Sequence, residues 1–135
     1  MARPNSSTRC AEYRRTDSRR LGCEAEQAAA RHLEAHALRV VLRNYRCRLG
    51  ELDLVALAPD GTLVIAEVRM RSRQNYGGGA ASVTYHKQRR LLRATRHLLA
   101  MQPQWSRHAL RFDVLDLRPA TGGYDIQWIQ HAFTA

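Results

Sequence analysis

Acidic side chains stand inside two apolar segments that have the composition of buried strands. Asp53 lies in the first segment, Glu67 lies in the second, and Arg69 follows Glu67 by two residues. Carboxylates are costly to bury without a partner, so these acids require a metal ion, an ion pair or a hydrogen-bond network. Because strand side chains alternate between faces, Glu51 shares a face with Asp53, and Arg69 shares one with Glu67.

The segment Pro59-Asp60-Gly61-Thr62 lies between the two strands and predicts a hairpin turn. Simple pairing about this turn brings Asp53 near Glu67. Two carboxylates and a main-chain carbonyl form a hard, oxygen-rich site suited to Mg²⁺ or Mn²⁺. The spacing leaves open an ordinary salt-bridge cluster with nearby arginines, namely Arg46, Arg69 or Arg71.

The chain is strongly basic. Its net charge is +10 and, of its 22 basic residues, only Lys87 is lysine. Excess positive charge favours a polyanionic partner, and arginine suits bidentate phosphate contacts. A preference for arginine codons explains arginine over lysine, but it does not explain the size of the net charge. The composition therefore predicts contact with nucleic acid.

The elements follow from composition, periodicity and turn signals. Residues 1–20 are polar and arginine-rich and predict a mobile tail, either a solvated leader or a basic arm for DNA. Residues 21–135 predict a single domain. The predicted elements are a helix over Cys23–His36, strands over Leu38–Tyr45, Glu51–Ala58 and Thr62–Met70, a glycine-rich loop over 71–82, a helix capped by Ser82 or Thr84 and running to Met101, and strands over Leu110–Leu117 and Tyr124–Gln130. The order α-β-β-β-α-β-β predicts a mixed α/β sheet flanked by helices.

Cysteine usage and hydropathy point to the cytoplasm. Cys10, Cys23 and Cys47 are odd in number and lack C-x-x-C spacing, which argues against a disulfide framework and favours a reducing compartment. The sequence shows neither a secretory leader nor an apolar run of the ~20 residues that a membrane span needs. We therefore expect no membrane partner.

Several ordered blocks resemble the bacterial YraN family. The first block runs from Arg43 to Val55 (RNYRCRLGELDLV), and the second is Glu67-Val68-Arg69 followed by Arg71-Ser72. Later blocks that are similar to the family are Tyr76-Gly77-Gly78, Lys87 to Leu91 (KQRRL), Arg111 to Val114 (RFDV) and Trp128 to Phe133 (WIQHAF). The resemblance covers residues 22–133, nearly everything except the tail.

The YraN family itself resembles the PD-(D/E)XK nucleases, and among them the archaeal Holliday-junction resolvases. This resemblance implies a restriction-endonuclease-like core. It also implies that Asp53 is the metal-binding aspartate and that Glu67 is the acid of the E-x-K element. Glu26 matches the first-helix glutamate, in preference to its neighbour Glu24. Glu51 would be a carboxylate that supports the metal ligands without binding the metal ion itself.

Arg69 departs from the superfamily pattern, since its nucleases usually carry lysine at this position. Arginine stays protonated in proteins and cannot act as a general base, but it can clamp a phosphate and stabilise transition-state charge. Lys87 could instead supply the ammonium from the second helix. The preferred interpretation of Lys87 is nevertheless a solvated base at a helix start.

These features predict a divalent-metal-dependent DNA endonuclease that acts on branched or repair and recombination intermediates. The alternative is a nucleic-acid-binding module on the same fold with little or no hydrolysis, which acts with a repair partner. A third interpretation is a scaffold protein whose charge reflects codon bias. A homodimer would suit a four-way junction. The predicted DNA-contacting residues are Arg71, Arg73, Lys87, Arg89, Arg93 and Arg96. Asp113 beside Arg111 predicts a structural ion pair.

Overall fold

The structure is a computed structural model that describes residues 17–71 and 83–134, with side chains from Cys23 onward in the first segment. Its helices and strands are α1 Asp17–Ala35, β1 Arg39–Cys47, β2 Gly50–Leu57, β3 Leu63–Met70, α2 Tyr85–Met101, β4 Leu110–Ala120 and β5 Gly123–Phe133, with a short 3₁₀ turn at Pro103–Trp105. The predicted order α-β-β-β-α-β-β is confirmed. None of the helices within the described residues is both long enough and apolar enough to cross a membrane.

The five strands form one mixed sheet in the order β1-β2-β3-β4-β5. All neighbouring pairs are antiparallel except β3 and β4, which are parallel. A parallel pair requires a crossover, and the chain between β3 and β4 supplies α2 for it. The hairpin between β2 and β3 pairs Leu57 with Leu63 and is centred on Asp60, as its turn residues predict.

The helices pack on opposite faces of this sheet. Alanines of α1, including Ala25 and Ala29, are fully buried with Leu33 against one face. Small side chains let a helix lie close to a sheet, which explains the narrow apolar stripe of α1. On the other face, Leu91 and Leu98 of α2 pack against apolar residues of β2, β3 and β4. Thr84 caps α2 by accepting a 3.2 Å hydrogen bond from the Lys87 backbone N–H.

Some predicted boundaries are wrong. Helix α1 begins at Asp17, so the last four residues of the predicted tail are helical; Asp and Ser are residue types that favour a helix start. Strands β4 and β5 extend beyond their predicted ends, to Ala120 and Phe133. Strand β4 can include Pro119 because β3 ends opposite Leu117, so no β3 ladder bond is lost there.

The cysteines also depart from the expectation of reduced thiols. Cys23 is disulfide-bonded, whereas Cys47 is free. Most of the predicted tail, the glycine-rich loop from residue 72 onward, and Arg73 within it lie outside the described residues.

Gly50 brings α2 close to the start of β2. Its φ is +154°, and a Cβ added there would lie 3.3 Å from the Arg90 carbonyl oxygen. We expect Gly50→Ala to lower the free energy of unfolding by about 1–3 kcal/mol, because it adds backbone strain and pushes on α2.

Urea denaturation would measure this loss, with Gly61→Ala as the matched control. Gly61 also has a positive φ, +88°, but an added Cβ there would meet open space. Its alanine variant should therefore lose only about 1 kcal/mol. An equal loss in both variants would show that the close approach of α2 to Gly50 does not add to the destabilisation of Gly50→Ala.

Candidate active site

The candidate site lies where β2 and β3 separate. Their pairing runs from Leu57↔Leu63 to Leu54↔Ala66 and ends there. Beyond that point β2 stays paired with β1, and β3 stays paired with β4 as far as Met70↔Leu117. The two strands therefore diverge immediately before Asp53 and Glu67, and the gap lies within the sheet.

Asp53 projects into this gap. Leu52 packs in the cluster beneath α2 and Leu54 packs in the cluster beneath α1, although they are only two residues apart. Strand β2 therefore rotates about its axis at Asp53. The Asp53 Oδ2 atom accepts a 2.9 Å hydrogen bond from the Val68 backbone N–H, a donor freed by the end of the β2–β3 ladder.

Glu67 is the buried acid of β3. Its side chain is 7% exposed, and its Oε2 atom forms an ion pair with the Lys87 ammonium, which reaches it from the first turn of α2. Lys87 lies at the helix start and stays half-exposed, as the preferred interpretation expects, but it is also paired with a buried acid. The ammonium neutralises a carboxylate that burial would otherwise destabilise.

Glu26 of α1 completes the acidic group, and Glu24 does not. Glu26 lines the same cavity and receives a hydrogen bond from Asn44 of β1, whereas Glu24 is exposed and lies near Tyr124. Asn44 has a left-handed φ of +54°, a conformation that Asn adopts more readily than most residues. The left-handed turn at Asn44 places its amide against Glu26.

One cavity of about 350 Å³ joins these groups. Its lining comes from α1, β2, β3 and α2, so it spans the gap from one helix layer to the other. The lining residues are Ala25, Glu26, Glu51, Asp53, Glu67, Val68, Met70, Lys87, Arg90 and Leu91. Glu51 is half-exposed at the rim and pairs with Arg46 at 3.0 Å.

Burial and neighbouring carboxylates raise the pKa values of Asp53 and Glu26. Burial raises the pKa of Asp53 well above its usual value, and the charges of Glu67 and Glu26 raise it further. Burial also raises the pKa of Glu26 to about 7, with Glu51 and Glu67 adding to the shift and the Asn44 hydrogen bond opposing it. A cation in the cavity would relieve this repulsion.

The donor set fits Mg²⁺ or Mn²⁺. Asp53, Glu67 and Glu26 offer hard carboxylate oxygens in one cavity, and such oxygens are the ligands that these ions prefer. As the side chains of the described residues stand, no three of the His, Cys, Asp and Glu types enclose a metal ion. Ligation by all three would require side-chain rotation, which the flexible side chains of Glu26 and Glu67 permit.

Arg69 lies beside the cavity and is absent from its described lining. Burial lowers the pKa of Arg69, and nearby Arg71 lowers it further, while Asp116 and Glu67 oppose the shift. Arg69 is opposite Asp116 in the β3–β4 register, and Arg71 Nε lies 3.5 Å from Asp116 Oδ1. The two arginines are thus associated with a buried carboxylate of β4.

Comparison with known proteins identifies the family. The model of the uncharacterised protein family UPF0102 matches residues 25–117. The chain belongs to that family. UPF0102 is the YraN family, so the resemblance in the sequence blocks is confirmed.

Curated YraN-family relatives match most of the chain. A UPF0102 protein of Cupriavidus taiwanensis is 50% identical over 114 residues, which cover 84% of this chain and 82% of the relative. One of Halorhodospira halophila is 44% identical over 119 residues, 88% of this chain and 91% of the relative. One of Legionella pneumophila is 40% identical over 111 residues, which cover 82% of this chain and 92% of the relative. These names carry no activity, so function has to be argued from the site.

The basic stripe of this YraN-family chain lies on the solvent side of α2. Arg89, Arg93 and Arg96 are exposed, whereas Lys87 and Arg90 of the same helix line the cavity. The helix therefore places positive charge both in the cavity and on the adjacent surface. Arg71 is more buried, with a side chain 19% exposed beside Asp116.

Sequence reasoning missed three contributors to the region around the site. These are Asn44, Arg90 and Asp116. Asp116 carried a signal, since an acid inside the apolar run of β4 predicts a buried charge. Asn44 and Arg90 carried no signal, because their roles depend on a left-handed backbone and on the approach of α2 to Gly50.

Proposed function

We propose that this protein is a divalent-metal-dependent DNA endonuclease. The observation that carries the proposal is the convergence of Asp53, Glu67 and Glu26 in one cavity at the β2–β3 gap, with a basic helix beside it. An oxygen-ligand site next to exposed arginines suits a phosphodiester, because the ion and the arginines both compensate phosphate charge.

The acidic and basic side chains of the proposed site have separate roles. Asp53, Glu67 and Glu26 would hold Mg²⁺ or Mn²⁺, which when bound activates water and neutralises charge on the phosphate. Arg89, Arg93 and Arg96 would hold the DNA backbone. In the reaction, a water oxygen bonds to phosphorus, the bond from phosphorus to one sugar oxygen breaks, and a proton from water ends on that sugar oxygen. The products are a phosphate monoester and a hydroxyl end.

Branched repair or recombination intermediates are the proposed substrates. They follow from the resemblance to junction resolvases, together with a basic surface that extends beyond the cavity along α2. A homodimer would present two such sites to a four-way junction, and a repair protein is the alternative partner.

The test is cleavage of labelled single-stranded, linear duplex and four-way-junction DNA with Mn²⁺ or Mg²⁺. We expect Glu67→Ala to lower the cleavage rate by roughly 100- to 1,000-fold, because it removes one of the proposed ligands of the metal ion that activates water and neutralises phosphate charge. DNA affinity should be unchanged or higher, since the lost charge is negative. Glu34→Gln, which neutralises an exposed acid of α1, should cleave like the wild type.

A second candidate is a DNA-binding module that does not hydrolyse its ligand. It is favoured by the Lys87 ion pair, which neutralises Glu67 without a metal, and by Arg69 in place of the usual lysine. Under this alternative, wild type and Glu67→Ala both bind DNA and neither cuts. Equal metal-dependent cutting by both proteins would contradict the nuclease assignment and indicate a contaminant.

A further inference from the structure

Lys87 is held where its ammonium can act inside the cavity. The Lys87 backbone N–H donates to Thr84 Oγ1 at 3.2 Å, and the Gln88 side chain donates to the Val83 carbonyl at 2.8 Å. These contacts fix the first turn of α2. The lysine side chain is 49% exposed, while the Glu67 side chain that it meets is 7% exposed. The ammonium therefore stands at the boundary between the buried acid and the open part of the cavity.

Arg69 does not occupy this place. It lies two residues beyond Glu67 on the same strand face, yet it is absent from the described cavity lining and is associated with Asp116 and Arg71. The ion pair of the strand acid Glu67 is formed with Lys87 of α2, and the charge of Glu67 also acts on Arg69. Lys87 is the one lysine of the chain, and its compact ammonium on a flexible stem can move between partners in a way that a planar guanidinium cannot.

We propose that Lys87 is a catalytic residue of this site, with two positions for its ammonium. In the free protein it is the counter-ion of Glu67. When DNA is bound it donates to a non-bridging oxygen of the phosphate under attack. This inference rests on the proposed function and assigns the cationic role to α2 rather than to β3.

The chemistry requires no proton from Lys87. As the water oxygen bonds to phosphorus and the bond to the leaving sugar oxygen breaks, negative charge grows on the non-bridging oxygens. An ammonium at that position stabilises the charge in the transition state more than in the bound substrate. Lys87 is protonated before and after the step.

The first experiment measures Mn²⁺ binding to DNA-free protein by calorimetric titration. Mn²⁺ and the ammonium compete for the same Glu67 oxygen. Lys87→Met removes the charge and keeps much of the aliphatic stem, so it should bind Mn²⁺ roughly fivefold more tightly. Arg107→Met, which removes an exposed charge away from the cavity, should bind Mn²⁺ like the wild type. Unchanged affinity in Lys87→Met would overturn the counter-ion role.

The second experiment measures cleavage kinetics and moves the lysine. Lys87→Met should lower kcat by roughly 100-fold or more with little change in KM, while Arg107→Met keeps wild-type kcat. The double variant Met70→Lys with Lys87→Met should regain part of kcat, because Met70 of β3 lines the cavity and the variant returns an ammonium to it. A merely structural role for Lys87 would not be rescued from β3.

Failure of the Lys87 assignment and failure of the nuclease proposal give different results in these experiments. Wild-type cleavage with full kcat in Lys87→Met would overturn the assignment of Lys87 and leave the nuclease proposal intact. Reduced kcat without rescue, accompanied by a lower thermal unfolding midpoint, would make Lys87 a structural residue. Absence of cleavage in the wild type on every DNA substrate would overturn both proposals.

Discussion

Replacing Asp113 with alanine is expected to lower the free energy of unfolding by about 3–5 kcal/mol. The Asp113 side chain is fully buried and receives hydrogen bonds from three residues. Arg111 donates from Nε and Nη2 at 2.9 Å, Trp128 donates its indole N–H at 2.9 Å, and the His131 backbone N–H donates at 3.2 Å. The alanine variant would leave all these donors without their acceptor. Because the Arg111 side chain is only 14% exposed, its charge would be stranded near the core.

Urea denaturation of the metal-free protein would measure this loss. Asp125→Ala removes an exposed acid of β5 and should change stability by less than about 0.5 kcal/mol. If Asp113→Ala does not fold, Asp113→Asn keeps the shape and gives a smaller loss for the same reason. Replacing Asp113 with leucine and Arg111 with methionine together should recover part of the stability. A loss below 1 kcal/mol in both single variants would show that the network is not a structural centre.

This ion pair was predicted correctly because both partners lie two residues apart on one strand. The same locality explains the hairpin and the second helix. The turn around Asp60 places Asp53 and Glu67 at matching distances from its centre, and Thr84 marks the start of α2. These features depend on residues that are close in the chain, so they can be predicted from a single sequence.

The parts that sequence reasoning missed depend on distant segments. Pairing between β2 and β3 stops after Leu54↔Ala66 because each strand follows its other neighbour, and no residue type signals that separation. Lys87 reaches Glu67 across twenty positions of sequence, and the contact depends on how closely α2 packs on Gly50. A solvated lysine was the better expectation from sequence, since lysines are mostly exposed. Its contact with Glu67 depends on the position of α2, which forms the crossover between the parallel strands β3 and β4.

Asp53→Asn is expected to stabilise the metal-free protein by roughly 1–2 kcal/mol at pH 7 while removing cleavage. Burial raises the pKa of Asp53, and Glu67 and Glu26 raise it further, so the folded protein disfavours the ionised form. The unfolded chain ionises near pH 3.9, about the usual value for aspartate. The stability supplied by the protonated form is therefore complete below that pH and is lost as pH rises through the folded pKa. Asparagine carries no charge, and its amide oxygen can still accept from the Val68 N–H.

Adding Mn²⁺ should stabilise the wild type more than it stabilises Asp53→Asn. At ten times its Kd, Mn²⁺ would stabilise the wild type by about 1.4 kcal/mol, because it binds only the folded state. Asp53→Asn should gain little, so the two unfolding curves should approach each other as Mn²⁺ is added. Asp125→Asn should gain as much as the wild type. An equal Mn²⁺ gain in Asp53→Asn would remove Asp53 from the ligands, and a less stable metal-free variant would make its carboxylate a structural acceptor. A carboxylate that destabilises the metal-free protein and is required for Mn²⁺ binding is one whose charge serves the site rather than the fold.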